Sequence, residues 1–146
     1  MKFTCSVIVE QPLEVVADLF AKPEYLKEYQ EGFVRKEHVK GRPGRHGAVS
    51  KMYYENKGKT MLLTETIVQN KLPHSFKASY HHEHMDNTMH CTFKALDKSR
   101  TEYVSHIEYT EFRGFTVKTM AKLFPGQFKK QVQKWLDNFK EFAEKQ

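Results

Sequence analysis

The sequence predicts an α+β fold in which a curved, seven-stranded antiparallel sheet closes around one long C-terminal helix. Three observations carry this expectation. From Phe33 to Phe112, apolar and polar residues alternate through strand after strand. After Gly114 the period changes. Phe124, Phe128, Val132, Trp135, Leu136, Phe139 and Phe142 recur at spacings of three and four, while Lys129, Lys130, Lys134, Asp137, Lys140 and Glu141 fill the other face. Two short apolar stripes lie between the first strand and the rest of the sheet. A period of two belongs to a half-buried strand, and spacings of three and four belong to an amphipathic helix.

The elements follow in order. Phe3, Cys5, Val7 and Val9 alternate with Thr4, Ser6 and Glu10, which reads as the first strand. Pro12 suits the first turn of a helix, where its missing N–H would be unpaired anyway. Val15, Val16, Leu19 and Phe20 make that helix amphipathic, Lys22-Pro23 ends it, and Tyr25, Leu26 and Tyr29 suggest a second short helix. Gly41, Pro43, Gly44 and Gly47 mark the next turn. A Lys57-Gly58 hairpin loop sets Tyr54 opposite Met61, Met52 opposite Leu63, Ser50 opposite Glu65, and Ala48 opposite Ile67. Leu72-Pro73 turns the chain again. An Asp86-Asn87 loop then sets His84 opposite Met89, His82 opposite Cys91, Tyr80 opposite Phe93, and Ala78 opposite Ala95. A turn at Asp97–Arg100 leads into the last strand, and Pro125-Gly126 kinks the terminal helix or separates it from a segment holding Met120 and Leu123.

The chain has 146 residues, enough for one domain with one core, and 39% of them are hydrophobic. No apolar stretch approaches a membrane span, and the N-terminus lacks a signal-peptide pattern, so a cytoplasmic protein is expected. Cys5 and Cys91, the only cysteines, read as reduced core residues. The net charge of +6 favours an anionic partner, yet it is dispersed along the chain. Its densest basic run, Arg35 to Arg45, reads as solvated surface rather than a nucleic-acid interface. No nucleophile elbow, phosphate loop, dinucleotide motif or HExxH pattern is present.

Three phrases carry a family resemblance. The opening VIVEQPLEVVADLFAKPEYLKEY looks like the first strand and helix pair of the START-like (SRPBCC) helix-grip superfamily. LTETIVQNKLPHSFKASY resembles its central hairpin, and FPGQFKKQVQKWLDNFKEFAEK its terminal helix. That superfamily includes birch-pollen-allergen-like proteins, polyketide cyclases/dehydrases and lipid-transfer domains. The resemblance covers residues 1–146 and implies a cavity for a hydrophobic ligand, with no cofactor and no universal catalytic triad.

Four groups of residues are candidates for function. The inward face of the second hairpin holds Tyr80, His82, His84, Cys91 and Phe93. A two-residue Lys98-Ser99 loop would bring His106 and Glu108 beside them, where imidazoles and a carboxylate could relay protons. The same set could hold zinc, or it could be a wet rim at the cavity mouth; no metal site is expected. A slip of one residue would turn Tyr103, Ser105, Ile107 and Tyr109 inward instead. The second candidate is Glu65, in phase with Met61, Leu63 and Ile67, where desolvation would raise its pKa unless a Lys, Arg or Tyr partners it. Third, Tyr54, Phe76, Tyr80, Phe93, Phe124, Phe128 and Trp135 could stack on a flat ligand or form ordinary core. Fourth, the segment Phe115–Leu123, with Lys118 and Lys122, could touch a membrane surface transiently or be plain surface helix.

The first functional expectation is therefore a non-enzymatic binding protein, a monomer or weak dimer. Its small hydrophobic or amphipathic ligand would lie against Met52, Tyr54, Leu63, Glu65, Phe76, Tyr80, His82, Cys91, Phe93, Phe124, Phe128 and Trp135. The second is a cyclase or dehydrase using Glu65, His82 or His106. The third is a chaperone-cofactor-like interaction domain, which would have a collapsed cavity and an exposed apolar patch.

Overall fold

The computed structural model describes all residues 1–146. Strand β1 (Lys2–Val9) is followed by helix α1 (Leu13–Ala21), a single 3₁₀ turn (Pro23–Tyr25) and helix α2 (Leu26–Tyr29). Six strands come next: β2 (Phe33–Lys40), β3 (Val49–Asn56), β4 (Lys59–Lys71), β5 (Ser75–His81), β6 (Met85–Ala95) and β7 (Thr101–Phe112). Helices α3 (Phe115–Leu123) and α4 (Gly126–Glu144) close the chain. The strands form one antiparallel sheet in the order β1-β7-β6-β5-β4-β3-β2. No helix is long and apolar enough to cross a membrane.

The β3–β4 hairpin has the expected register, with Ser50 opposite Glu65, Met52 opposite Leu63 and Tyr54 opposite Met61. Its turn needs positive φ at both central residues, and Lys57 (52°) and Gly58 (76°) supply it. Pro12 sits one place earlier than expected, capping α1 in an extended conformation, while Val16 donates to its carbonyl.

Two other registers differ from expectation. The β5–β6 turn falls at Glu83-His84, not at Asp86-Asn87, so Cys91 faces Phe76 rather than His82. Asp86 has a different task. Arg113 binds both of its carboxylate oxygens at 2.9 Å, and His81 Nδ1 lies 2.7 Å from Oδ1, which holds the residue inside β6. The β6–β7 connection has three loop residues, not two. Ala95 pairs with Thr101, and the Leu96 N–H reaches the Arg100 carbonyl. Asp97 sets this loop, accepting from the Ser99 N–H and from Arg100 Nε. The odd loop length shifts β7 by one residue and reverses its faces. Tyr103, Ser105 and Ile107 are buried, and His106 points out to solvent.

Helix α4 lies against the edge strand β1. Gln133 Nε2 donates to the Ser6 carbonyl at 3.0 Å, and the Glu10 N–H donates to the Glu144 carboxylate at 2.8 Å. Only its C-terminal half is seated: Leu136, Phe139 and Ala143 are buried with Val16, Leu19, Leu26 and Tyr29. Phe139 meets Tyr29 and Tyr103 edge-on at 5.0 and 5.5 Å between ring centroids. The N-terminal half, from Gly126 to Val132, buries no residue fully. A core at one end and an unfilled span at the other leave room between helix and sheet.

Candidate functional site

That room is a cavity of about 1300 Å³. It is open to solvent, since Lys57, Lys59, Gln127 and Gln131 line it and are exposed. A wide, open cavity is the reverse of the collapsed one expected for a pure interaction domain.

Sheet register decides its chemistry. His38 of β2, Ser50 of β3, Glu65 of β4, Tyr80 of β5, Asn87 of β6 and Tyr109 of β7 stand directly opposite one another, strand to strand. All six line the cavity, so a polar row crosses its floor. Apolar rows flank it. Ile67, Ala78, Met89 and Ile107 are paired in the same way on one side, and Met52 and Leu63 lie on the other.

Glu65 is the centre of the polar row and is only 4% exposed. Lys36 Nζ lies 2.9 Å from Oε1, and the Tyr80 hydroxyl donates to Oε2 at 2.7 Å. A buried carboxylate is tolerated because both oxygens are engaged, one of them by a cation. Both kinds of partner named as the alternative for Glu65, a lysine and a tyrosine, are thus present. The Tyr80 hydroxyl is held protonated well above the ordinary range, first by burial and then by the negative charge of Glu65. Across the cavity the Tyr54 hydroxyl donates to Gln30 Oε1 at 2.7 Å, and its ring stacks on Trp135 at 5.8 Å. Burial raises the Tyr54 hydroxyl too.

Nine of the expected contact residues stand in the cavity wall: Met52, Tyr54, Leu63, Glu65, Phe76, Tyr80, His82, Phe128 and Trp135. Three do not. Cys91 is fully buried beneath the wall, its thiol donating towards Ser105 Oγ (3.7 Å) and Tyr103 Oη (3.8 Å), and burial pushes its pKa up to about 11. Phe93 packs between Phe20 and Tyr103 in the core. Phe124 is 57% exposed and lies beyond the cavity, between α3 and α4. The proposed gathering of His82, His84, Cys91, His106 and Glu108 does not form. His106 bonds to Thr4 Oγ1 on the outer face, and no group of three metal-ligating side chains comes together. His82 sits at the rim with its pKa lowered, first by partial burial and next by His84.

Sequence reasoning missed Lys36, Ser105, Tyr109 and Asn87 as cavity residues. Tyr109 and Ser105 were legible only under the alternative register of β7. Lys36 was masked by the basic run around it, in which a solvated side chain is the ordinary expectation.

Comparison with solved structures gives fold likenesses along nearly the whole chain. The ZhuI aromatase/cyclase from Streptomyces sp. R1128 superposes with a TM-score of 0.82 at 12% identity, covering 99% of this chain and 93% of that one. A major latex-like protein from Panax ginseng gives 0.75 at 16% identity, covering 98% and 97%. The di-domain aromatase/cyclase StfQ of the steffimycin biosynthetic pathway gives 0.73 at 15%, covering 97% of this chain and 45% of that one. No protein-family model and no curated protein matches the sequence.

Proposed function

We propose that this chain, whose fold is the START-like helix grip, binds and carries a small amphipathic molecule in its cavity. The apolar body, a flat aromatic system or a lipid-like chain, lies along Met52, Leu63, Met89 and Ile107 and against the Tyr54–Trp135 stack. A hydroxyl or carbonyl of the ligand meets the Lys36–Glu65–Tyr80 group. The polar row across an otherwise apolar floor is the observation that carries this reading. A purely apolar ligand would leave that row without a use, and a strongly polar one would waste the apolar rows.

Native mass spectrometry of gently purified protein, compared with a denatured extract, tests it. A retained amphipathic molecule, lost when Leu63→Trp fills the cavity, is the expected result. A protein that holds nothing, and that takes up neither fatty acids nor polycyclic phenols in titration, would defeat it.

A cyclase or dehydrase reading draws on the same pair, because a tyrosine hydroxyl 2.7 Å from a carboxylate can pass a proton to a bound carbonyl. The aromatase/cyclases among the similar structures favour keeping it. Recovery of the added ligand chemically altered would select this reading over simple carriage. His106 has no part in it.

A further inference from the structure

Helix α3 buries none of its residues. Phe115 is 85% exposed and Leu123 63%. Phe115, Thr119 and Leu123 follow at intervals of four and form one row along the helix. Lys118 and Lys122 form the row on one side of it. Met120 lies on the other side and lines the cavity. The half-buried Val117 and Ala121 face the protein.

Along the chain, the stretch that holds this patch carries charge of one sign. No Asp or Glu occurs from Phe112 to Leu136. Lys118, Lys122, Lys129 and Lys130 enter no ion pair, whereas Lys134 pairs with Glu31 and Arg113 with Asp86 and Glu111. Clustered apolar side chains rimmed by unpaired lysines match the chemistry of an anionic bilayer surface. There rings and aliphatic groups enter the headgroup boundary and ammonium groups meet lipid phosphates and carboxylates.

We propose that α3 docks on an anionic membrane surface, with Phe115, Leu123 and Phe124 entering the interface and Lys118, Lys122 and Lys130 held by headgroups. Docking in this orientation sets Met120, on the flank of the patch, and the adjoining cavity mouth against the bilayer. A ligand then passes between membrane and cavity without crossing water; this last step rests on the carrier reading above.

Sedimentation of the full-length chain with phosphatidylcholine vesicles, with and without phosphatidylserine, tests the docking. Binding to the anionic vesicles alone, reversed by high salt, is expected. Lys118→Gln/Lys122→Gln should weaken it on the order of thirtyfold, at about fivefold per lysine near such a surface. Phe115→Ser/Leu123→Ser should weaken it as well. All four side chains are exposed, so circular dichroism and uptake of a hydrophobic dye should match the parent. Retained dye uptake with lost vesicle binding separates docking from cavity function. Wild-type protein that stays in the supernatant overturns the proposal, as does binding that neither variant weakens. Self-association without vesicles, abolished by Phe115→Ser/Leu123→Ser, overturns it in favour of a second copy.

Discussion

Replacing Lys36 with Met removes the ammonium while keeping an aliphatic stem. Glu65 is then left on the cavity floor with the Tyr80 hydroxyl as its only protein partner. Breaking a fully buried pair from one side costs about 3–5 kcal/mol. Here the Lys36 side chain retains 22% exposure and the Glu65 side chain 6%, and water can enter the cavity. A smaller loss of about 2 kcal/mol is therefore expected. Glu65→Leu leaves Lys36 free to turn to water, at a cost of about 1 kcal/mol, most of it from the unpaired Tyr80 hydroxyl. The double variant Lys36→Met/Glu65→Leu strands no charge and should lie within about 1 kcal/mol of the parent. The coupling energy from the cycle is then about 2 kcal/mol. Urea unfolding at neutral pH measures all four proteins, and unchanged m-values keep the comparison valid. A coupling below about 0.5 kcal/mol would show that the 2.9 Å contact carries no more than a surface ion pair, and that the floor is in effect solvated. The same set of proteins reports on recognition. The double variant should still take up an apolar dye but lose about tenfold of its preference for a hydroxylated ligand over the deoxygenated analogue.

Further outcomes follow from single contacts. Phe139→Ala removes the side chain that seats α4 and should cost about 3–5 kcal/mol, read as a lowered melting temperature. Gly32→Ala would place a Cβ 2.8 Å from the Glu55 carbonyl oxygen at a φ of +84°, and should cost about 1–3 kcal/mol in the same assay. Asp86 is held down to about 2 by Arg113 and His81. Its folded-state value lies below its unfolded one, so its contribution is complete above about pH 4 and disappears as pH falls towards 2. At 30% exposure that contribution is about 1 kcal/mol, and Asp86→Asn should flatten the acid limb of stability against pH by that amount. Burial raises the thiols of Cys5 and Cys91, the latter to about 11, so neither should react with dithionitrobenzoate at pH 8 until denaturant is added.

The fold was legible because its signals are periodic and redundant. The stripe from Phe128 to Phe142, the alternation of the strands and the Lys57-Gly58 turn each pointed to the element found there. Side-chain partnerships that set loop lengths were not legible. Nothing local announces that Asp86 belongs to Arg113, 27 positions away, so Asp86-Asn87 kept the look of a turn. Asp97 did belong to a turn, but its bonds to Ser99 and Arg100 close a loop one residue longer than the commonest hairpin.

The two register errors differed in consequence, and parity explains why. On β5–β6 the true pairing is displaced by six positions: Cys91 meets Phe76, not His82. An even displacement leaves every side chain on its original face, so Tyr80 and His82 still reached the cavity wall. On β6–β7 the displacement is one. That odd step exchanged His106 and Glu108 for Ser105 and Ile107 and dissolved the imidazole–carboxylate cluster. A single loop residue between Ala95 and Thr101 thus decides whether β7 turns His106 and Glu108 or Ser105 and Ile107 towards the cavity, whereas the tyrosine–carboxylate–lysine row stands apart from that loop. The row rests on the β3–β4 hairpin, whose positive-φ turn admits one register, and on β4–β5, where Glu65 and Tyr80 are directly opposed. Deleting Lys98 from the β6–β7 loop is the corresponding perturbation. It would present β7 with its faces reversed and put His106 in place of Ser105 beside Cys91, so the shortened chain should lose cooperative unfolding. A deletion variant that unfolds as cooperatively as the parent would mean that the strand absorbs the missing residue in a bulge.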